Sequence, residues 1–328
     1  MLGLIVASHG DLAQELIKSS YLILGRLQNM KLEYLIDQAA GQPKKTVAVA
    51  VAEDHEVIEA VAKAITLQLA QFRLYGNQEK IMGMLQEHSL QTSEHIEVIA
   101  AQSSAEAAEL SVKAVRNGEA DVLMKGNIPT ANILKAVLNK EWGLRKGSVL
   151  SHVAAFEVPN YDRLIFVTDA AMNIAPDVTQ KAAIIQNTVE VARAIGIDLP
   201  KVAPIAAVEV VNPAMQATID AAMLTQMNRR GQIKDCIVDG PLALDNAVSQ
   251  IAAEHKGIVS DVAGKADILL VPTIEAGNVL YKSLVYFADA KVGAMIAGAK
   301  APIVLTSRAD SAETKVYSLA LAVATASK

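Results

Sequence analysis

The sequence predicts an α/β protein with a parallel sheet wound by helices on both sides, and three observations carry that prediction. Apolar, β-branched runs alternate with runs of helical spacing from end to end. Apolar residues make up 52% of the chain but aromatics only 4%. That balance of Ala, Val, Ile and Leu suits strands covered on both faces. Most strand-like runs also end in corners rich in Gly, Pro, Asn or Asp that open the next helix.

Taken in order, TVAVAVA from Thr46 reads as a strand and EVIEAVAKAITLQLAQF, 56–72, as a helix. The strand DVLM from Asp121 leads through the corner KGNIPTAN into a helix. LIFVTD from Leu164 leads through AAMNIAPD into the helix VTQKAAIIQNTVEVARAIG, which stops at Gly196. KVAPIAAV from Lys201 and DCIVDG from Asp235 follow, the second opening on PLALDNAVS. DILLVPT from Asp267 opens on IEAGNVLYKSL, and PIVLTS from Pro302 opens on RADSAETK. In open α/β sheets ligands bind at the carboxyl ends of strands, so converging corners of this kind would form one polar pocket. No linker of low complexity interrupts the pattern. A domain boundary is expected in an ordered connection near Ser148 to Ser151.

Several function classes lose support. The net charge is −5 and no basic stripe is interleaved with aromatics, which argues against nucleic acid. Apolar runs are too short to span a membrane, and Asp11 and Glu15 interrupt the start early, unlike a signal peptide. Cys236 is the one cysteine, as expected for a reducing cytoplasm. No dinucleotide G-x-G-x-x-G follows a strand, Gly264-Lys265-Ala266 is not a phosphate loop, and serine-hydrolase and zincin motifs are missing. The six histidines show no metal-ligand spacing. Chemistry based on anion binding and positioning stays open.

The corner VLTSRADSAETK from Val304 is the most pointed case. Asp310 as N-cap and Glu313 three residues on would make a capping box. Capping does not account for Arg308, whereas an anion site at a helix start would.

With KKTVAVAVAEDHEV, ADVLMKGNIPTANILKAVL, LSHVAAFEVP, TDAAMNIAPD, DGPLALDNA, AGKADILLVPTIEAGNVLYKSL and IVLTSRADS in one order, the chain resembles the phosphotransacylase family from about Lys31 to Lys328. The likeness is strongest to its phosphate butyryltransferase branch. The resemblance implies reversible transfer of a short acyl group, butanoyl or branched, between coenzyme A and inorganic phosphate. It implies two doubly wound α/β domains with a cleft between them, in an isocitrate/isopropylmalate dehydrogenase-like architecture. It also implies a homodimer or larger homo-oligomer, no metal, and no bound cofactor, with coenzyme A as a substrate. The last strand and helix of the family return to the first domain. The expected division is therefore about 31–150 plus 297–328 for one domain and 151–296 for the other. Phosphate acetyltransferase is the alternative within the class. An isocitrate dehydrogenase-like oxidoreductase is the distant one, and neither its metal carboxylates nor its nicotinamide site can be assigned here.

In such a reaction phosphate attacks a thioester carbonyl, an oxyanion forms, and the thiolate leaves. One oxyanion donor is often worth roughly 2.7–4 kcal/mol. Arg308 is the expected phosphate ligand, since its guanidinium can make a bidentate contact, and Ser307 the expected donor to the oxyanion. In the acetyltransferase branch an aspartate seven residues after the motif serine is the assigned base. Here that position is Thr314, so Glu313 or Asp310 is the candidate for the proton, unless this branch uses no base there. Lys125 and Lys135 flank the GNIPTAN corner as point charges for phosphate or the coenzyme A diphosphate, with Asn127 between them. Gly277 and Asn278 are expected to open a helix and let backbone approach a ligand. Asp169, Asn173 and Asp239 are expected to order the cleft or touch substrate, and Tyr281 and Lys282 match the family motif.

The first thirty residues fall outside this likeness. MLGLIVASHGDLAQELIKSSYLILG resembles the start of a mannose-type phosphotransferase enzyme IIA domain, whose phosphorylated histidine would be His9. Too little of that domain is present to expect a working phosphocarrier. The segment, about residues 1–30, is read as a fused fragment or an upstream-called start.

Overall fold

The structure, a computed structural model, describes residues 30–147, 149–159, 161–306 and 310–326. His9, Ser307 and Arg308 lie outside the described residues. The chain opens with α1 (Leu32–Ala40), β1 (Lys45–Ala50), α2 (His55–Thr66), β2 (Ala70–Gly76), α3 (Gln78–Glu87), β3 (Ile96–Ala100) and α4 (Ser104–Arg116). Next come β4 (Val122–Lys125), α5 (Thr130–Val137), β5 (Ser151–Glu157), β6 (Leu164–Thr168), α6 (Val178–Ala194), β7 (Lys201–Pro204) and α7 (Gln216–Arg229). The remainder is β8 (Ile237–Val238), α8 (Leu244–Val248), α9 (Gln250–His255), β9 (Ile268–Leu270), α10 (Ile274–Phe287), β10 (Lys291–Ala297), β11 (Ile303–Val304) and α11 (Ala312–Thr325).

These strands make one sheet in the order β3-β2-β1-β4-β11-β10-β5-β6-β9-β7-β8. The two flanks are parallel, as the alternating pattern predicts. The centre is not. β10 lies antiparallel to β5 from Lys291↔Glu157 to Ala297↔Ser151, and β5 antiparallel to β6. β11 returns to pair in parallel with β4, with Ile303 opposite Leu123.

Local sequence explains most boundaries. Asp54 caps α2 by accepting from the Val57 amide, and Asp177 with Gln180 forms a full capping box on α6. Gly196, at φ +107°, ends α6 as expected. The predicted helix 56–72 needs correction. It stops at Thr66, Gln68 turns at φ +56°, and Ala70, Phe72 and Leu74 alternate inward as β2.

The two faces of the sheet are covered differently. On one, a single core runs from Leu35 and Val61 through Val153, Ile184 and Leu319 to Leu224 and Val238. On the other, two clusters stay apart. One gathers Ala48, Leu123, Ile303 and Ile296 under α4 and α5, with Val112 and Ile133. The second gathers Ala154, Phe156, Val167 and Leu269 under α8, α9 and α10.

Candidate active site

The space between those two clusters is a cavity of about 600 Å3 on the split face. Its walls come from the corner after β4 (Lys125, Ile128, Thr130), the first residues of β5 (His152), the corner after β6 (Ala170, Met172), and α10 (Asn278, Tyr281, Lys282). Leu305, Thr306 and Asp310, flanking the residues outside the description, close the ring. Polar and apolar groups thus line the cavity together, the apolar ones including Ile128, Met172 and Ile296.

Lys125 is 8% exposed, and its Nζ donates to the Gly126 carbonyl at 3.2 Å. The polypeptide at Gly126 passes so close to β1 that a Cβ there would meet the Val51 carbonyl. That approach holds the GNIPTAN corner against the sheet, with the Asn127 amide donating to Val51 O. Asn127 itself is exposed, as is Lys135 on the outer side of α5, and neither lines the cavity.

Asp169 is buried and organises its corner rather than facing open space. Its Oδ1 accepts the amides of Ala171 and Met172, and its Oδ2 accepts Asn173 Nδ2 at 2.6 Å. Asn173 also donates to the Leu150 carbonyl, tying the β6 corner to the segment before β5. Gly277 corrects the expectation that it begins a helix for a ligand. α10 starts at Ile274, and a Cβ on Gly277 would meet Val271 Cγ2 at 2.7 Å and Ala170 Cα and Asp169 O at 2.9 Å. Glycine is needed there for helix-to-corner packing, which sets Asn278 and Tyr281 on the cavity wall.

The α11 corner also departs from expectation. Ser311, not Asp310, caps the helix, accepting from the Thr314 amide, so the Asp310–Glu313 capping box does not form. Glu313 points the other way, into a groove beside Ile36 and Lys63, where it accepts from Tyr317 Oη and pairs with Lys291. Thr314 spends its Oγ1 beside Ser311 Oγ. Asp310 alone of the three reaches the cavity. Its carbonyl is held by Lys315, a lysine only 2% exposed that also pairs with Glu56 at the start of α2. Asp239 lies far off, past the edge strand β8 and within 3.9 Å of Arg229.

Sequence reasoning missed His152. Its Nδ1 is enclosed with no hydrogen-bond partner among the described residues, and its ring meets Tyr281 edge-on at 5.8 Å. Burial holds the imidazole below the ordinary histidine range, opposed by the negative charges of Asp169 and Asp310. Burial likewise pushes the Tyr281 phenol up, so it stays a neutral donor at pH 7. The one signal in sequence was a polar ring inside the apolar motif LSHVAAFEVP.

The Phosphate acetyl/butaryl transferase family matches residues 105–323. The chain belongs to this family. It is 60% identical over 294 residues to a "Probable phosphate butyryltransferase" of Bacillus subtilis, covering 90% of this chain and 97% of that one. It is 51% identical, with the same coverage, to a phosphate butyryltransferase of Clostridium beijerinckii. Among solved structures, a branched-chain phosphotransacylase from Enterococcus faecalis superposes with a TM-score of 0.77 at 38% identity, covering 86% of this chain and 99% of that one. Family membership makes this chain an acyltransferase, and the cavity is where its corners converge. Among the described residues no helix is long and apolar enough to cross a membrane.

Proposed function

We propose that the chain is a phosphate butyryltransferase, moving a butanoyl or short branched acyl group reversibly between coenzyme A and inorganic phosphate. The observation that carries this reading is the near full-length identity to relatives bearing that name. The mixed polar and apolar lining of the cavity agrees with a short acyl chain held beside a charged reaction centre. In this reading phosphate attacks the thioester directly, with Arg308 and Lys125 holding the phosphate and Ser307 donating to the oxyanion. Tyr281 and Asn278 would orient the acyl thioester, while Asp169 and Asn173 keep the wall in place. The enzyme works in the cytoplasm as a homodimer or larger homo-oligomer and uses coenzyme A as substrate, not as a resident cofactor. We also divide the chain into an α/β domain of residues 31–150 plus 297–328 and another of 151–296. The return of β11 to β4 and of Lys315 to Glu56 supports that division.

The test is thiol release from acetyl-, butyryl- and isobutyryl-coenzyme A with and without phosphate. Phosphate-dependent release, fastest with the four-carbon acyl groups, is the expected result. Fastest release with acetyl-coenzyme A would make it a phosphate acetyltransferase, and none with any substrate would remove the reading.

A further inference from the structure

At the α11 corner Thr314 stands where a relative's base is expected and Glu313 faces the opposite side of the helix, which leaves Asp310 and His152 as the proton-handling groups on the cavity wall. We propose that His152 is the catalytic base and acid of the transfer, carrying one proton between the phosphate oxygen and the coenzyme A sulfur. This rests on the acyl-transfer reading above.

Placement comes first. His152 sits at the start of β5, opposite Ile296, and its carbonyl accepts Thr168 Oγ1 at 2.8 Å, so the backbone under the ring is fixed on both sides. The ring shares the cavity wall with Lys125, Asn278, Tyr281, Thr306 and Asp310. A structural histidine in such a place normally uses its nitrogens to satisfy neighbours, as buried polar atoms do. The enclosed Nδ1 has no partner among the described residues. At that nitrogen no hydrogen bond from the described residues accounts for an imidazole here.

The other acidic and basic groups fit less well, Asp310 because a carboxylate ordinarily titrates well below neutrality and is a poor carrier for a proton that must pass both ways at pH 7. Asp169 spends both carboxylate oxygens on Ala171, Met172 and Asn173. Lys125 and Lys282 are cations, suited to binding phosphate or diphosphate oxygens rather than to accepting a proton. Tyr281 is held neutral. Imidazole is the side chain whose ordinary titration lies nearest neutrality, which suits it to passing a proton in both directions. Burial keeps the ring neutral and ready to accept, while Asp169 and Asp310 face it from the β6 and α11 corners and favour the imidazolium once formed.

The step balances. As a hydrogen phosphate dianion attacks the thioester, its P–O–H proton passes to the imidazole and a C–O bond forms. The C–S bond then breaks, and the thiolate takes the proton from the imidazolium. The products are the acyl phosphate dianion and the free thiol, with neutral His152 restored.

The experiment uses full-length wild type, His152→Asn and His152→Gln. Kinetics are read between pH 5 and 9.5 in the butyryl phosphate plus coenzyme A direction, where inorganic phosphate's own ionisation does not intrude. Wild-type kcat should rise along an acid limb centred below about 6.5. The folded variants should lose about 100-fold or more in kcat at pH 7, keep KM within about 3-fold, and lack that limb. Their deficit should shrink above about pH 8.5 as the thiol ionises unaided. A folded variant within about 3-fold of wild-type kcat overturns the proposal. So does a loss confined to KM with the limb intact, or a wild type with no such limb, a result that needs no variant to fold. A wild type showing no phosphate-dependent thiol release removes the acyl-transfer reading itself, and this inference with it.

Discussion

The two faces of this sheet do different work, and the contrast is visible in how each is covered. On one face a single apolar core extends under α1, α2, α6 and α11 without a break. On the other the core divides into two clusters, and the cavity occupies the gap. The continuous face packs helices from both flanks of the sheet into one apolar core. The divided face leaves room between elements that the first face already holds in place. A site can therefore be lined with costly groups, such as the His152 Nδ1 that has no hydrogen-bond partner among the described residues, because its scaffold is secured elsewhere.

The contrast can be broken by substitution. On the continuous face Leu319 is fully buried, and Leu319→Ala should cost about 2–5 kcal/mol of stability. Denaturant unfolding measures the loss, and the KM of protein that remains folded should not change. On the divided face Lys125→Met should cut kcat/KM about 100-fold, equivalent to roughly 2.7 kcal/mol, with thermal unfolding shifted by only a few degrees. If the two substitutions swapped signatures, the division of labour would be wrong. Gly277→Ala tests the join between helix and corner. It should destabilise by about 1–3 kcal/mol through overpacking and lower turnover as well, because the Asp169 corner must move.

A smaller effect follows from His152. Its folded-state proton affinity is below the ordinary value of 6.5. Its contribution to stability is thus fully present above about pH 6.5 and is lost as pH falls through the folded value. His152→Asn should flatten the fall of Tm on acidification, and an unchanged slope would show that the ring is not responsible. The least effect is expected from Glu313→Gln. It faces the groove at Ile36, so kcat should stay within about 2-fold and stability within about 0.5 kcal/mol. A large drop in turnover would return Glu313 to the chemistry.

Much of the parallel flanks was legible, because TVAVAVA, DVLM, LIFVTD and DILLVPT are short β-branched runs followed by turn residues. The antiparallel centre was not. KVGAMIA in β10 carries glycine and alanines that read as well for helix as for strand, and what makes it a strand is pairing with β5, distant in sequence. The same limit hid His152. Its place on the cavity wall depends on the row that sets it opposite Ile296, and nothing in histidine spacing encodes that row. Glu313 shows the reverse error. Spacing from Asp310 suggested a capping box, but Ser311 takes the cap, and one residue of helix phase sends the Glu313 carboxylate to the other face. Gly277 was singled out for the right property, close approach, but the approaching group is the Asp169–Ala170 backbone.

The pairing of β11 with β4 also bears on how the chain is made. β4 ends at Lys125 and its neighbour begins at Ile303, so on a ribosome the inner edge of β4 waits for most of the protein to emerge. At ~5–20 residues per second that is about 10–35 s of open strand edge in a nascent chain. α11, which seals the continuous core against β10 and α2, emerges later still. The amino-terminal half is thus committed to a sheet it cannot complete, and nascent chains stalled before Ile303 should depend on chaperones that shield such edges.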